Sequence, residues 1–98
     1  MQIDGFEWDE GNWPKCAKHG ISKQDIEIAL TGDVRIFEDP TSPDNEKRYR
    51  AIGLNDVGRH VLVVFCIRHQ AGRSLLRPIS ARFMHQKEIS YYEQQTKA

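Results

Sequence analysis

Seven of the ten basic residues that follow Glu46 are arginines: Arg48, Arg50, Arg59, Arg68, Arg73, Arg77 and Arg82. A guanidinium offers a planar fork of donors that matches the oxygens of a phosphate or a carboxylate. Residues 1–46 carry eleven Asp/Glu against four Lys/Arg, a balance of −7, whereas residues 47–98 carry ten Lys/Arg against three Asp/Glu, a balance of +7. The formal net charge of zero therefore hides two halves of opposite sign. Such asymmetry favours a nucleic-acid or acidic partner, with a solvated strand surface as the plainer alternative.

Spacing adds geometry to this composition. Along a strand near residues 46–54, period-two alternation places Glu46, Arg48 and Arg50 on one face, continued by Ile52 and Leu54. That face would be wet at one end and buried at the other, a place where a phosphate could be held at the open edge of a sheet. Arg77 and Arg82 stand an odd number of positions apart, so a regular strand sends them to opposite faces. Pro78 between them predicts an edge or a bulge, which could redirect one of the two.

Cleavage of RNA without a metal requires a group to take the 2′-hydroxyl proton, a group to protonate the leaving oxygen, and cations around the crowded phosphorane. His19, Glu46 or Glu88, and Arg48, Arg77 and Arg82 are the candidates of suitable type. The plainer reading of His19, between Lys18 and Gly20, is a helix C-cap that favours the helix dipole, and His60, His69 and His85 sit near loops and element ends as surface histidines. Cys16-x-x-His19 and Cys66-x-x-His69 form a nominal two-Cys, two-His set. A three-residue step along a strand sends Cys66 and His69 to opposite faces, however, and Cys66 has a core-like setting, so no metal and no cofactor is expected. Trp8 and Trp13 either stack on bases or, as aromatics more often do, join the core.

The elements that must position these residues are few. The length suits one domain, residues 1–98. No apolar run approaches the roughly 18 residues a membrane span needs, and the opening Met1-Gln2-Ile3-Asp4-Gly5 is neither basic nor apolar. A cytoplasmic protein with no membrane contact is expected, its two distant cysteines reduced. Phe6-Glu7-Trp8 alternates as a short strand; Pro14 and Gly20 bracket a short helix over about 13–19; and Ser22 with Asp25 resembles a capping box opening a second helix with Ile26, Ala29 and Leu30 inward. Residues 34–38, 46–54, 60–68 and 75–82 read as strands, the last three joined by short Gly-containing turns and therefore antiparallel. His60 to Ile67 is apolar on both faces and should be the central strand, buried on both sides. From Phe83 a helix carrying Met84, Ile89, Tyr91 and Tyr92 is expected to pack on the sheet. The fold class is thus α+β: a mostly antiparallel sheet of four to five strands, two N-terminal helices and one C-terminal helix.

Taken in order, Phe6-Glu7-Trp8-Asp9, Lys18-His19-Gly20-Ile21-Ser22, Arg48-Tyr49 with Ile52-Gly53, Leu62-Val63-Val64, and Arg77-x-Ile79-Ser80-Ala81-Arg82 followed by Glu88 and Tyr92 resemble the BrnT family of type II toxins. The chain departs from the family's usual residues at Cys16, Pro78 and Met84. The resemblance implies a RelE-like fold, endoribonuclease activity that blocks translation and growth, and neutralisation by a BrnA-like antitoxin, through which alone the toxin would be associated with DNA. It also marks His19, Arg48, Arg77, Arg82, Glu88 and Tyr92 as matching polar positions. Combined with the chemical reading, the expected catalytic residues are His19, Arg48, Arg82 and Glu88, and the expected substrate contacts are Arg50, Arg77 and Tyr92. The rival expectation is a non-catalytic module that anchors a DNA-binding partner in an autoregulatory complex.

Overall fold

The computed structural model of the protein describes residues 2–17 and 20–96. Its elements run β1 (Gly5–Phe6), α1 (Lys23–Thr31), β2 (Arg35–Glu38), β3 (Arg48–Leu54), β4 (His60–Gln70), β5 (Arg73–Phe83) and α2 (Gln86–Thr96). The strands form one sheet in the order β1-β5-β4-β3-β2, antiparallel throughout except for the parallel β1–β5 pair. The expected α+β class, the consecutive antiparallel strands and the central position of β4 all hold. The parallel pair makes the sheet mixed.

Local chemistry accounts for most of these elements. The Ser22 hydroxyl accepts from the Asp25 amide while the Asp25 carboxylate accepts from the Ser22 amide, a complete capping box that starts α1. The β4–β5 hairpin closes on Ala71 and Gly72, both at positive φ (49° and 75°), which is the backbone of a two-residue turn whose twist suits the flanking strands. The helix expected over 13–19 does not form in the part of it that is described. Residues 10–16 are turns held by isolated bonds such as Trp13 N–H to Asp9 O and Cys16 N–H to Asn12 O. Two features work against a helix there: Pro14 biases Trp13 away from helical backbone, and the segment's polar groups are used by β5. The Asn12 amide donates to Pro78 O at 2.9 Å, and Cys16 O accepts from Ala81 N–H. The segment thus seals the outer edge of β5 instead of closing on itself.

The two faces of the sheet differ. One is sealed: Ile26, Ala29 and Leu30 of α1 pack with Ala51, Val61, Val63, Phe65, Leu76 and Ala81 into a single core. The fit is close at Gly53, where an added Cβ would stand 2.1 Å from the Ala29 carbonyl oxygen. The other face is covered only at one end, by α2. Leu62 and Val64 of β4 are consequently half-buried, although Val61, Val63 and Phe65 are fully buried. β4 is therefore not buried on both sides as its composition suggests. Trp8 and Trp13 belong to the sealed side, edge to face at 5.4 Å with Lys23 Nζ over both rings and Trp8 Nε1 donating to Glu27, so their role is packing.

Candidate active site on the open sheet face

Ile79 is an extra residue on β5: the register steps from Val64↔Ser80 to Phe65↔Pro78. This bulge beside the proline moves Arg77 onto the same face as Arg82, opposite Cys66 and Leu62 of β4 respectively. On β3, Arg48 lies opposite Cys66, Arg50 opposite Val64, and Ile52 opposite Leu62. The open face therefore carries Arg48, Arg50, Arg77 and Arg82, joined by Arg68 from β4, a residue the motif reading passes over.

Each of these arginines is held by a carboxylate. Arg48 Nε donates to Glu46 at 3.1 Å and Arg68 approaches the same Glu46 at 3.8 Å; Arg50 meets Asp39 at 3.1 Å. Arg77 forks onto Asp9 at 2.9 and 3.0 Å and also donates to Glu7 at 2.9 Å. Its side chain is only 14% exposed, and it ties the N-terminal segment to β5. The Arg77 fork and the Gly11 amide hold the Asp9 carboxyl below its ordinary range. Asp39 is buried within an otherwise exposed loop, where its carboxylate also accepts from the Thr41 amide and hydroxyl.

The best-defined pair is Arg82 with Glu88. Both guanidinium terminal nitrogens donate to the two carboxylate oxygens at 2.7 Å, and Glu88 Oε1 also accepts from the His85 amide at 2.9 Å. Glu88 thus caps the start of α2 and orients Arg82 together. With the Arg82 fork as the larger cause and the His85 amide as the next, the Glu88 carboxyl is pushed down to about 2. It is ionised at neutral pH and is a weak base there. The arrangement makes it a positioning group for Arg82.

Two hollows flank the pair. A groove of about 580 Å³ between α2 and the β2–β3 end of the sheet has a floor of Phe37, Ile52, Leu62 and Met84 and is rimmed by Arg50, Lys87, Glu88, Tyr91 and Tyr92. The apolar side of α2 leans over this groove without sealing onto the sheet, and Tyr91 remains 66% exposed. On the other side a cleft of about 170 Å³ is lined by Arg59, Arg82, Phe83, Met84 and His85. The guanidinium carbon of Arg59 sits over the Phe83 ring, 3.7 Å from its centroid. His85 and Arg59 are thus brought beside Arg82; the sequence marks the first only as a surface histidine and gives no motif for the second. Tyr92 sets its ring edge-on to His60 at 6.4 Å.

The structure therefore gathers Arg50, Arg82, Glu88 and Tyr92 at one end of the face. Arg48 and Arg77 lie at the other end, across β4 from one another. By strand spacing Arg48 is on the order of 15 Å from Arg82, and β4 stands between β3 and β5; the two do not converge from adjacent strands. His19 falls outside the described residues. Cys16 is buried in the core on the α1 side and Cys66 is buried on the opposite face, both as free thiols. Among the described residues no cluster of three His, Cys, Asp or Glu side chains could hold a metal. Nor is any helix long and apolar enough to cross a membrane.

The class is thus a small α+β domain with one sheet face sealed by a helix and the other left largely open under a row of anchored arginines. The family described as BrnT, the ribonuclease toxin of type II toxin-antitoxin systems, has a model that matches residues 8–88, and the chain belongs to that family. Ribonuclease activity, an RNA target and a protein antitoxin are the properties of that family. Comparison with curated protein sequences gives no significant match.

Proposed function

We propose that this protein is a metal-independent endoribonuclease whose reaction centre surrounds Arg82. The observation that carries this reading is the 2.7 Å two-pronged bond to Glu88, which fixes a guanidinium between two solvent-open hollows. Arg50 and Tyr92 rim one of them and Arg59 and His85 line the other. A side chain locked by its neighbours before substrate arrives loses little freedom on binding, and preorganised cations are the larger part of phosphorane stabilisation.

In the proposed reaction a ribose 2′-hydroxyl attacks the adjacent phosphorus, the bond to the 5′-oxygen breaks, and a 2′,3′-cyclic phosphate and a free 5′-hydroxyl result. The 2′-hydroxyl proton passes to a base and the leaving oxygen takes one from an acid. His85 is the described histidine next to Arg82, and His19 is the one the family resemblance nominates; Glu88 orients Arg82. Arg48, Arg50, Arg77 and Tyr92 would bind the strand on either side of the cleaved bond.

The finer reading is that residues 1–98 form one RelE-like domain in the cytoplasm, blocking translation and growth until a BrnA-like antitoxin neutralises it, with DNA reached only through that partner. A second reading has its own observation. Arg48, Arg50, Arg68, Arg77 and Arg82 each already hold a carboxylate, as would suit a non-catalytic anchor. The two part on one assay: purified protein in EDTA should cleave RNA and leave 2′,3′-cyclic phosphate ends. An absence of cleavage with or without added zinc or magnesium would leave the anchor, and cleavage only with added metal would remove the metal-free mechanism.

A further inference from the structure

We infer that the β2 edge and the adjoining groove are the docking surface of the protein antitoxin, which adds an extended segment to β2 with apolar and acidic side chains in alternation. The two edges of the sheet are treated differently. The outer side of β5 is covered by β1 and by the bridge from Ala17 to Ala81, whereas β2 pairs only with β3 among the described residues and is exposed along its whole length. Its apolar residues are exposed on both faces: Phe37, 44% exposed, points into the groove, and Ile36, 39% exposed, lies toward the α1 side. An open edge with apolar side chains is the pattern that soluble proteins blunt unless something pairs with it, and strand addition satisfies backbone and side chains together.

Charge selects the occupant. Around this surface Glu38 is taken by Lys47 and Glu88 by Arg82, while among the described residues Arg35 and Lys87 have no carboxylate partner. Asp33, which lines a hollow with Arg35 just before β2, likewise has no ion-pair partner among the described residues, so the balance of unpaired charge is cationic by one. A second copy of the chain would bring the same cations to the seam, and a nucleic-acid strand would gain nothing from Ile36 or from unpaired strand amides. An acidic, apolar protein segment answers all three features. Where it enters the groove it meets Arg50 and Glu88, so that if the nuclease reading holds, docking and RNA binding exclude each other.

The test uses the full chain with its cognate antitoxin. Amide hydrogen exchange should show residues 35–38 becoming protected in the complex. Phe37→Asp and Lys87→Glu should each weaken antitoxin binding at least about tenfold, with Val57→Asp, on the exposed β3–β4 turn, as the control that binds normally. Unchanged exchange at 35–38 with protection elsewhere overturns the proposal, and this readout needs no variant to fold. A dimer of the isolated chain that Ile36→Asp dissociates would assign the edge to a second copy and overturn it as well, as would protection of the same amides by a single-stranded RNA oligonucleotide. Displacement of that oligonucleotide by antitoxin tests only the overlap: if the RNA binds nowhere, the nuclease reading fails while the exchange map still decides docking.

Discussion

Arg82 and Glu88 make two bonds where one would fasten a helix, and the second bond fixes the plane of the guanidinium. Lysine can keep the charge of Arg82 but not the fork. Arg82→Lys and Arg82→Ala should therefore both lower cleavage, the alanine by about 10²–10³-fold, while the circular dichroism spectrum and antitoxin binding stay normal; full cleavage in a folded Arg82→Lys or Arg82→Ala protein of lowered melting temperature would show a purely structural tie. His85→Ala should slow cleavage about 10²–10⁴-fold if His85 moves a proton, and full activity in that variant would transfer the role to His19. Glu88 gives a direct physical readout. Its carboxyl is depressed from 4.5 to about 2, so its contribution to anchoring α2 is complete above about pH 4.5 and is lost as pH falls through about 2. A carboxyl NMR titration should find that low midpoint in the wild type and a midpoint raised toward the ordinary glutamate value in Arg82→Ala, where the His85 amide still holds it down.

Among the elements, α1 and β3 meet so closely that Gly53 has no room for a methyl group. Gly53→Ala should cost about 1–3 kcal/mol, measured by urea unfolding, because the obstructing atom is the Ala29 backbone oxygen and not a side chain that can swing aside. The β4–β5 turn works the other way. Ala71 occupies left-handed backbone at φ 49°, a conformation that costs a residue with a Cβ roughly 1–2 kcal/mol. Ala71→Gly should stabilise the hairpin by a fraction of that, since glycine also loses more chain entropy on folding; a lower melting temperature would contradict the turn assignment. Val63, fully buried in the central strand, sets the scale for the core, and Val63→Asp should cost several kcal/mol, on the order of the penalty for an unpaired buried charge.

At the scale of the molecule, the zero net charge is divided between an acidic N-terminal half and a basic C-terminal half that fold against each other. Glu7, Asp9, Asp39 and Glu46 of the first half hold Arg77, Arg50, Arg48 and Arg68 of the second. RNA that takes these arginines must compete with carboxylates already in place. Binding of a single-stranded oligonucleotide should consequently weaken with salt, and Arg50→Gln should reduce the slope of log affinity against log salt by about 0.7, the value for one phosphate contact on a single strand. An unchanged slope would remove Arg50 from the interface.

Periodicity and turn chemistry are local properties, and the sequence by itself determined what depends on them: the Ser22 capping box, the hairpins around Gly58 and Gly72, the central apolar strand from His60 to Ile67, and the ordered motifs that mark the BrnT family. The arginines and Glu88 were legible too, as residue types with a chemistry. What only the tertiary structure decided was who meets whom. Pro78 hinted at a bulge, but the placement of the extra residue at Ile79, and with it Arg77 on the face of Arg82, depends on pairing with β4. The turns over 10–16 took the place of a helix because their polar groups bond to a strand more than sixty residues away, which no local pattern reports. His85 and Arg59 joined Arg82 only because β5 runs directly into α2 beside the β3–β4 turn. The open face itself follows from α2 covering one end of the sheet and leaving the rest to solvent, a balance between helix packing and groove that is settled by long-range contacts and not by the order of residues along the chain.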